Sequence, residues 1–468
     1  MGALLIAACS RNPATGKLQF GLPSNDEEIT LGREADADVR RAMPVYDEVP
    51  TASKLVADVG AKLAKDSERP QLPWSFTLLD EPAVNAFALP GGWVYVTRGL
   101  IVHLGSDDEL AAVIAHEEGH VTARHGVVQL RKQNTARRTV GIFRVIDPNL
   151  RHVGGIAASA AGVALLKYSR DDEHQADDLA VRYVKRGGWD QAALVRVFEV
   201  LTSLAQGAEK APPWLSTHPD PQERRDRTAG MLGITPPVPA AAEPEFLAAI
   251  EGVVVGPDPR DGFLATPTLF AHPRRGYELQ LPSGWKIIHD RDQVIALSPD
   301  EKAIFVSMPT KYDTPIAALT DFFADSGMTR GEHIQGTVGG FPFESSSFAM
   351  ADESGSTLMG LVAFVAYEGK VIAMVAIGPE QGWGERTSVL ANTFGSFGKI
   401  ADARVAKIDP LRVHIVTLAQ ATSIAELARE QNGALDAAAL ARLNGVAPDS
   451  QLPAGRAIKL VKQGPAPR

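Results

Sequence analysis

The sequence His116-Glu117-Glu118-Gly119-His120 is an H-E-x-x-H pattern within a stretch predicted to be helical. Residues four apart lie on one face of an α-helix, so both imidazoles can reach one metal ion with Glu117 beside them. A catalytic zinc takes three protein ligands, and this pattern supplies two of them together with a general base. We therefore predict a zinc hydrolase in which His116 and His120 bind the metal and Glu117 is catalytic.

The residues before this pattern predict where its helix begins. Residues 106–109, Ser-Asp-Asp-Glu, have the pattern of a capping box, and Val113 and Ile114 follow at helical spacing. The alternative is a surface helix with solvated histidines. The histidines, however, share the face of Val113 and Ile114, where a buried unpaired charge is unfavourable. A metal is the simplest compensation.

The third metal ligand must come from another segment, and Glu173 is the best candidate. It follows Ser169 at the start of a second predicted helix, on the side that carries Ala176 and Ala180. Asp177 lies one turn further along the same side, where it could accept the outer N–H of a ligating histidine. For either acid the alternative is an ordinary solvated charge.

Three motifs together resemble zinc peptidase family 48, which includes the CAAX prenyl endopeptidases and periplasmic lipoprotein proteases. They are residues 85–92 (Asn-Ala-Phe-Ala-Leu-Pro-Gly-Gly), residues 116–120, and Glu173-x-x-Ala176-Asp177. The resemblance covers roughly residues 10 to 262, and the spacing is similar to that of the periplasmic branch. It implies one zinc per chain with Glu173 as third ligand and Asp177 as supporting acid. Glu118 departs from the apolar residue more usual there.

Residues on either side of the metal motifs are predicted to contact the substrate. Residues 85–89 and 93–97 predict a hairpin, whose edge would bind an extended peptide through Asn85, Ala86 and Phe87; the alternative is a purely structural hairpin. The resemblance further implies that His218 lies over the cleft, with Arg224 near it. His218 would either stabilise the oxyanion as a catalytic group or bind the open zinc position, and a lone surface histidine is the alternative. Residues 153–166 predict a buried helix or a lid.

Composition limits the location and the partners of the chain. With 468 residues, 45% hydrophobic content and a net charge of −9, it can bury several cores and gives no reason to expect nucleic-acid binding. Its single cysteine excludes an internal disulfide. Residues 5–10 resemble a lipobox, so we expect lipidation at Cys9 and a periplasmic protein held on the outer membrane by this anchor alone. The alternative is a cytoplasmic chain with an apolar start.

The predicted fold class is multidomain. Residues 1–20 are the lipobox and tether, and residues 21–250 a mostly α, zincin-like metalloprotease domain with a small β-hairpin or sheet. Residues 251–262 form a linker, residues 263–405 an α+β accessory domain, and residues 411–463 a small βααβ module similar to LysM, the peptidoglycan-binding module. Residues 420–422 replace its usual Gly-Asp-Thr, so glycan binding stays open.

These observations predict a zinc-dependent endopeptidase of the bacterial periplasm or outer membrane. Protein or peptide substrates follow from the resemblance to zinc peptidases. Misfolded or unassembled envelope proteins, and the outer-membrane assembly machinery as partner, follow from the resemblance. Two alternatives stay open: an envelope chaperone or scaffold with gated or weak proteolysis, and a peptidoglycan-associated binding protein.

Overall fold

The computed structural model describes residues 9–14, 16, 18–20, 22–130, 167–206, 212–238, 242–324, 326–352, 355–431 and 434–466. They form two compact units. The first contains the described residues up to 130, residues 167–257 and residues 411–466, and the second contains residues 258–410. The C-terminal module that we predicted as a separate domain is therefore part of the first unit. The predicted helix or lid at residues 153–166 lies outside the described residues.

The first unit begins with a strand pair and two helices. Strand β1 (Cys9–Arg11) pairs antiparallel with β2 (Leu18–Phe20), and helices α1 (Asn25–Ala42) and α2 (Pro50–Lys65) follow. A complete capping box at Ser24 starts α1, and the fixed φ of Pro50 suits the first turn of α2.

A three-stranded sheet comes next, made of β3 (Ser75–Leu79), β4 (Ala86–Leu89) and β5 (Trp93–Thr97). Its order is β3-β5-β4, with β3 parallel and β4 antiparallel to β5. The predicted hairpin is thus present, and Gly91 and Gly92 take positive φ values in its turn. Within the described residues, β4 has a neighbouring strand on one side only.

The rest of the first unit, up to its C-terminal module, is helical, and its centre is α4. The helices are α3 (Arg98–Ile101), α4 (Asp107–Thr122), α5 (Arg170–Arg186), α6 (Ala193–Gln206), α7 (Pro213–Thr217), α8 (Pro221–Leu232) and α9 (Pro244–Ile250). Every residue of α4 from Glu109 onward is buried. The Ser106 hydroxyl accepts from the Glu109 N–H, but Glu109 Oε2 accepts from the Gly105 N–H, so only half of the predicted capping box forms.

The second unit is an α+β structure built on two antiparallel sheets. Its strands are β6 (Phe263–Thr266), β7 (Leu269–His272), β8 (Tyr277–Gln280), β9 (Lys286–Asp290), β10 (Gln293–Leu297), β11 (Ile304–Pro309), β12 (Thr329–Val338), β13 (Phe341–Ala351), β14 (Thr357–Tyr367), β15 (Lys370–Pro379) and β16 (Gly398–Lys399). Seven strands are ordered β12-β13-β14-β15-β11-β10-β9, and four are ordered β16-β8-β7-β6. Its α-helices are α10 (Pro315–Phe323), α11 (Trp383–Gly395) and α12 (Ala403–Ala406).

The C-terminal module has the predicted β-α-α-β order. Its elements are β17 (Leu411–Thr417), β18 (Thr422–Ser423), α13 (Ile424–Glu430), α14 (Ala437–Leu443), β19 (Gln451–Leu452) and β20 (Ala457–Gln463), with β17 antiparallel to β20. Its buried apolar side chains belong to the same hydrophobic core as those of α2 and α4. None of the helices in the described ranges is long and apolar enough to cross a bilayer.

Candidate active site

The site is built where α4 packs against α5. Gly119, inside the H-E-x-x-H pattern, lies at this contact: a Cβ at this position would be 3.1 Å from the backbone oxygen of Ala176. Only a residue without a side chain permits this separation of the two helices without displacement. The close approach brings the histidines of α4 next to the first turns of α5.

Four buried side chains meet there. His116 and His120 from α4, Glu173 from α5 and His218, which follows α7, offer ligand atoms that all lie within 4.8 Å of one another. The two Nε2 atoms of the α4 histidines are 3.0 Å apart, and Glu173 lies 3.6 and 3.5 Å from them. Each of the four side chains is about 1% exposed. The structure thus brings together the three predicted ligands and adds His218.

Asp177 and Arg224 orient His116. Asp177 Oδ1 is 3.0 Å from His116 Nδ1, the contact expected of a supporting acid, and it leaves Nε2 directed at the cluster. Arg224 binds both oxygens of Asp177 at 2.9 and 2.6 Å, and its Nη1 is 2.7 Å from Glu173 Oε2. The guanidinium is buried and held by two carboxylates, so we revise its expected role from substrate binding to support of the ligand set.

His120 is oriented by a residue that the sequence analysis did not single out. His125 Nδ1 lies 2.9 Å from His120 Nδ1, and His125 Nε2 lies 2.8 Å from the Gln175 side-chain oxygen. The amide oxygen can only accept, so His125 donates through Nε2 and its Nδ1 is left to accept from His120. His120 then presents Nε2, like His116. Arg124, at φ 62°, turns the chain after α4 and returns His125 to the site.

Charges in this pocket favour a cation at the cluster. Burial and Arg224 act to lower the pKa of His116, but hydrogen bonds to Asp177 and Glu173 outweigh them and raise it to about 9. Burial acts to raise the pKa of Glu173, yet His218 and Arg224 hold it well below its usual range. Glu173 therefore stays ionised and attracts positive charge.

Glu117 and Glu118 have different surroundings. Glu117 is buried, and its Oε1 is 3.5 Å from His218 Nε2 with no hydrogen-bond partner in the described part of the chain. Glu118 is buried outside the four-residue cluster, and burial together with the Glu68 charge raises its pKa to about 8. Of the two, only Glu117 is placed to exchange protons at the cluster.

Two aromatic rings cover the cluster, and neither was predicted. The Tyr168 ring stacks on His120 with a centroid distance of 3.9 Å, and the Trp214 ring stacks on His218 at 4.6 Å. Tyr168 directly precedes the cap of α5 and Trp214 lies in α7, so each comes from a segment that also carries a cluster residue. Their sequence signal was only this proximity to Glu173 and His218.

The predicted substrate-binding residues lie at the edge of the three-stranded sheet. Ala86 is buried, and the Phe87 ring stacks on Tyr95 in the core at 4.8 Å, so its side chain is structural. Asn85 Oδ1 is buried without a hydrogen-bond partner among the described residues. Its backbone oxygen accepts from the Thr97 N–H.

Two imidazole nitrogens and one carboxylate, with a glutamate beside them, form the donor set of a catalytic zinc site. The orphaned Glu117 oxygen and the facing Nε2 atoms fit such a metal. Fold and site together define a helix-based metallopeptidase of the H-E-x-x-H type. The family follows from comparison: residues 50–230 match Peptidase family M48. This part of the chain is therefore an M48 peptidase domain.

Several curated proteins are similar to this chain. The putative beta-barrel assembly-enhancing protease of Vibrio cholerae is 30% identical over 224 residues, 45% of each chain. The beta-barrel assembly-enhancing protease of Escherichia coli K12 is 27% identical over 42% of each chain. The mitochondrial metalloendopeptidase OMA1 of Arabidopsis thaliana is 33% identical over 33% of this chain and 30% of that protein. The chain spans about half the length of the first two.

Solved structures align with low scores. Cyanobacterial PsbP from Synechocystis matches 30% of this chain and 96% of its own, at 13% identity and a TM-score of 0.23.

Proposed function

We propose that the chain is a zinc-dependent endopeptidase of the bacterial envelope. The observation that carries the proposal is the buried cluster of His116, His120 and Glu173 inside an M48 domain. These three side chains would hold one zinc ion. Asp177 and Arg224 would keep His116 and Glu173 in place, as outer hydrogen-bond partners of metal ligands do.

The bound metal supplies Lewis acidity, which polarises a peptide carbonyl and lowers the pKa of water to about 7. The protein groups perform the proton transfers. Glu117 accepts a proton from the attacking water and returns it to the leaving amine. Its burial keeps bulk water away, and its Oε1, which has no hydrogen-bond partner among the described residues, is available for this exchange.

The substrate would bind as an extra strand on β4. Because the Asn85 oxygen bonds to Thr97 on β5, the alternation of an antiparallel ladder turns the backbone groups of Ala86 and Ala88 away from β5. An extended peptide could pair with these groups, and the unpartnered Asn85 Oδ1 would accept from it. Ala86 would then bind substrate through main-chain atoms and Asn85 through its side-chain oxygen, whereas Phe87, which pairs with Tyr95, would support the strand from the core side.

His218 would close the site in the state described here. Its Nδ1 lies 3.0 Å from Glu173 Oε1 and 3.3 Å from His116 Nε2, and its Nε2 faces Glu117. With a metal bound, His218 would be a fourth ligand and would occupy the position that water and substrate need. We favour this gating role over oxyanion stabilisation. A gating role for His218 also agrees with tightly controlled proteolysis, in which the chain binds substrate proteins more often than it cleaves them.

Location and substrates rest on the relatives and the sequence motifs. Two of the similar proteins are called beta-barrel assembly-enhancing proteases. By analogy, the substrates would be envelope proteins that fail to assemble, and the outer-membrane assembly machinery would be a partner. Cys9 would carry a lipid anchor on the outer membrane, and the LysM-like module would bind peptidoglycan.

The decisive experiment compares Glu117→Gln with Glu118→Gln, two identical changes at neighbouring buried positions. With an unfolded envelope protein as substrate, we expect one zinc per chain in both variants. Cleavage should be lost in Glu117→Gln and retained in Glu118→Gln. Equal activity of the two variants would refute the assignment of the base, and absence of zinc from the parent chain would refute the metal centre.

His218→Ala tests the gate on the same substrate. A gate predicts faster cleavage when the imidazole is removed, with zinc retained by the other three ligands. Slower cleavage with zinc retained would overturn the gating role and favour oxyanion stabilisation.

A further inference from the structure

The C-terminal module, residues 411–463, extends the backbone hydrogen bonding of the catalytic part of the first unit. Val413 donates to the Val253 oxygen at 2.9 Å and accepts from the Gly252 N–H at 2.9 Å. Arg412 is 3% exposed, and its guanidinium bonds to the Gly252 oxygen and to Glu48. The module is joined to its neighbours by backbone hydrogen bonds around a β-bridge between Val254 and Arg412 and by a partly buried ion pair, which a flexibly tethered domain would lack.

A single lysine of the module reaches into the catalytic part. Lys459, on β20, is 3% exposed, and its Nζ donates to the oxygens of Val102 and Leu104 at 2.9 and 2.7 Å. Asn444 fixes the Lys459 backbone through two hydrogen bonds of 2.8 Å. A buried ammonium group is tolerated only where it donates hydrogen bonds to acceptors, so these two carbonyl oxygens fix the position of the Lys459 ammonium group.

The two carbonyls belong to the link between α3 and α4. This link continues into Gly105, whose N–H is bound by Glu109, and Ser106, which caps α4. The Glu109 carboxylate also attracts the Lys459 charge, and Arg196 Nε lies 3.3 Å from the same carboxylate. Lys459 therefore holds the segment that sets where α4 begins.

We propose that the C-terminal module is an obligatory part of the catalytic unit and that Lys459 is a positioning residue for the metal-binding helix. α4 is one continuous helix of 16 residues, so a displacement at its start is carried to His116 and His120. The attachment of the C-terminal module to the first unit is inferred from the contacts alone. The effect on catalysis rests on the proposed peptidase function.

The test compares Lys459→Met with Lys462→Met in the full chain. Both lysines lie on β20, but Lys462 is exposed, so it is a matched control. We expect Lys459→Met to speed amide hydrogen exchange at residues 103–112 by about tenfold or more, because the Val102 and Leu104 carbonyls both lose this donor and each unpaired buried carbonyl is costly. Zinc affinity, measured by chelator competition, should fall with it, and kcat should fall without a change in KM. Lys462→Met should match the parent chain.

The outcomes separate this proposal from the proposed function. Faster exchange and weaker zinc binding without any proteolysis would support the positioning role and refute the peptidase. Parent-like exchange and zinc affinity in Lys459→Met would overturn the positioning role even in an active enzyme. If Lys459→Met does not fold, exchange in the parent chain decides. Common protection of Lys459, Val413 and α4 supports one unit, and independent opening of the module refutes it.

Discussion

Replacement of Glu28 by glutamine should destabilise the first unit strongly. Its carboxylate is fully buried and is shared by two arginines: Arg69 binds it at 2.8 and 3.0 Å, and Arg124 Nε binds it at 2.8 Å. It also accepts from the Gly91 N–H in the hairpin turn, while Arg69 bonds to the Val121 oxygen near the end of α4. One side chain thus ties α1 to the hairpin and to the metal-binding helix.

The magnitude follows from leaving buried guanidinium groups uncompensated. Removal of one partner from a buried ion pair costs about 3–5 kcal/mol. Glutamine keeps one oxygen that can still accept from one arginine, so we expect about 3–4 kcal/mol for Glu28→Gln. That is a large share of the ~5–15 kcal/mol by which domains are stable. The exposed pair Lys54–Asp58 supplies the control, because Asp58→Asn should change stability by less than about 1 kcal/mol.

Urea unfolding monitored through hydrogen exchange at the amides of α4 measures the loss of stability in the first unit itself. Replacing Glu28, Arg69 and Arg124 together by methionine should recover most of the stability, because no buried charge is then left alone. If Glu28→Gln and Asp58→Asn lose stability equally, the buried network does not stabilise the unit and the reasoning fails.

Three further predictions concern the metal centre, helix packing and pH. Asp177→Asn should weaken zinc binding by about 10–100-fold in chelator competition, whereas Asp178→Asn, at an exposed position, should not; equal affinities would contradict the supporting role. Gly32→Ala should lower Tm, because its Cβ would lie 1.9 Å from a backbone oxygen of the hairpin turn, whereas Gly230→Ala in open space should raise it by stabilising α8. A lower Tm for both would refute this packing argument. Burial and the Lys459 charge lower the pKa of His103 from 6.5 to about 4. Between these two pH values the unfolded chain therefore binds a proton at His103 that the folded chain does not bind. Stability should therefore fall by up to about 3 kcal/mol between pH 6.5 and 4, and His103→Gln should flatten the curve; an unchanged slope would exclude His103.

The parts of the site that could be predicted from the sequence are those encoded locally. The H-E-x-x-H spacing and the Ser169 cap indicated α4 and α5, because helix periodicity and capping depend on nearby residues. Asp177 was predicted for the same reason, as a residue one turn beyond Glu173. The hairpin of β4 and β5 was visible in its turn glycines.

What the sequence did not reveal depends on contacts between distant segments. His125 orients His120 only because the chain reverses at Arg124, a backbone conformation that no periodicity marks. The burial of Arg224 against Asp177 joins residues 47 positions apart. Strand β3 lies parallel to β5, so the two strands are not joined by a hairpin turn that would indicate their pairing in the sequence. The single unit formed by the catalytic part and the C-terminal module also arises from long-range packing.

The buried position of Lys459 has a consequence for the order in which parts of the chain fold during synthesis. Its bond to Val102 joins residues 357 positions apart, with the whole second unit between them. Domains generally fold as they leave the ribosome, beginning at the N-terminus, but the first unit lacks β20 until the residues that follow the second unit have been synthesised. The start of α4 is therefore fixed only after that point. A nascent chain would therefore lack a finished catalytic centre until β20 has been synthesised, and it would not cleave neighbouring proteins before then.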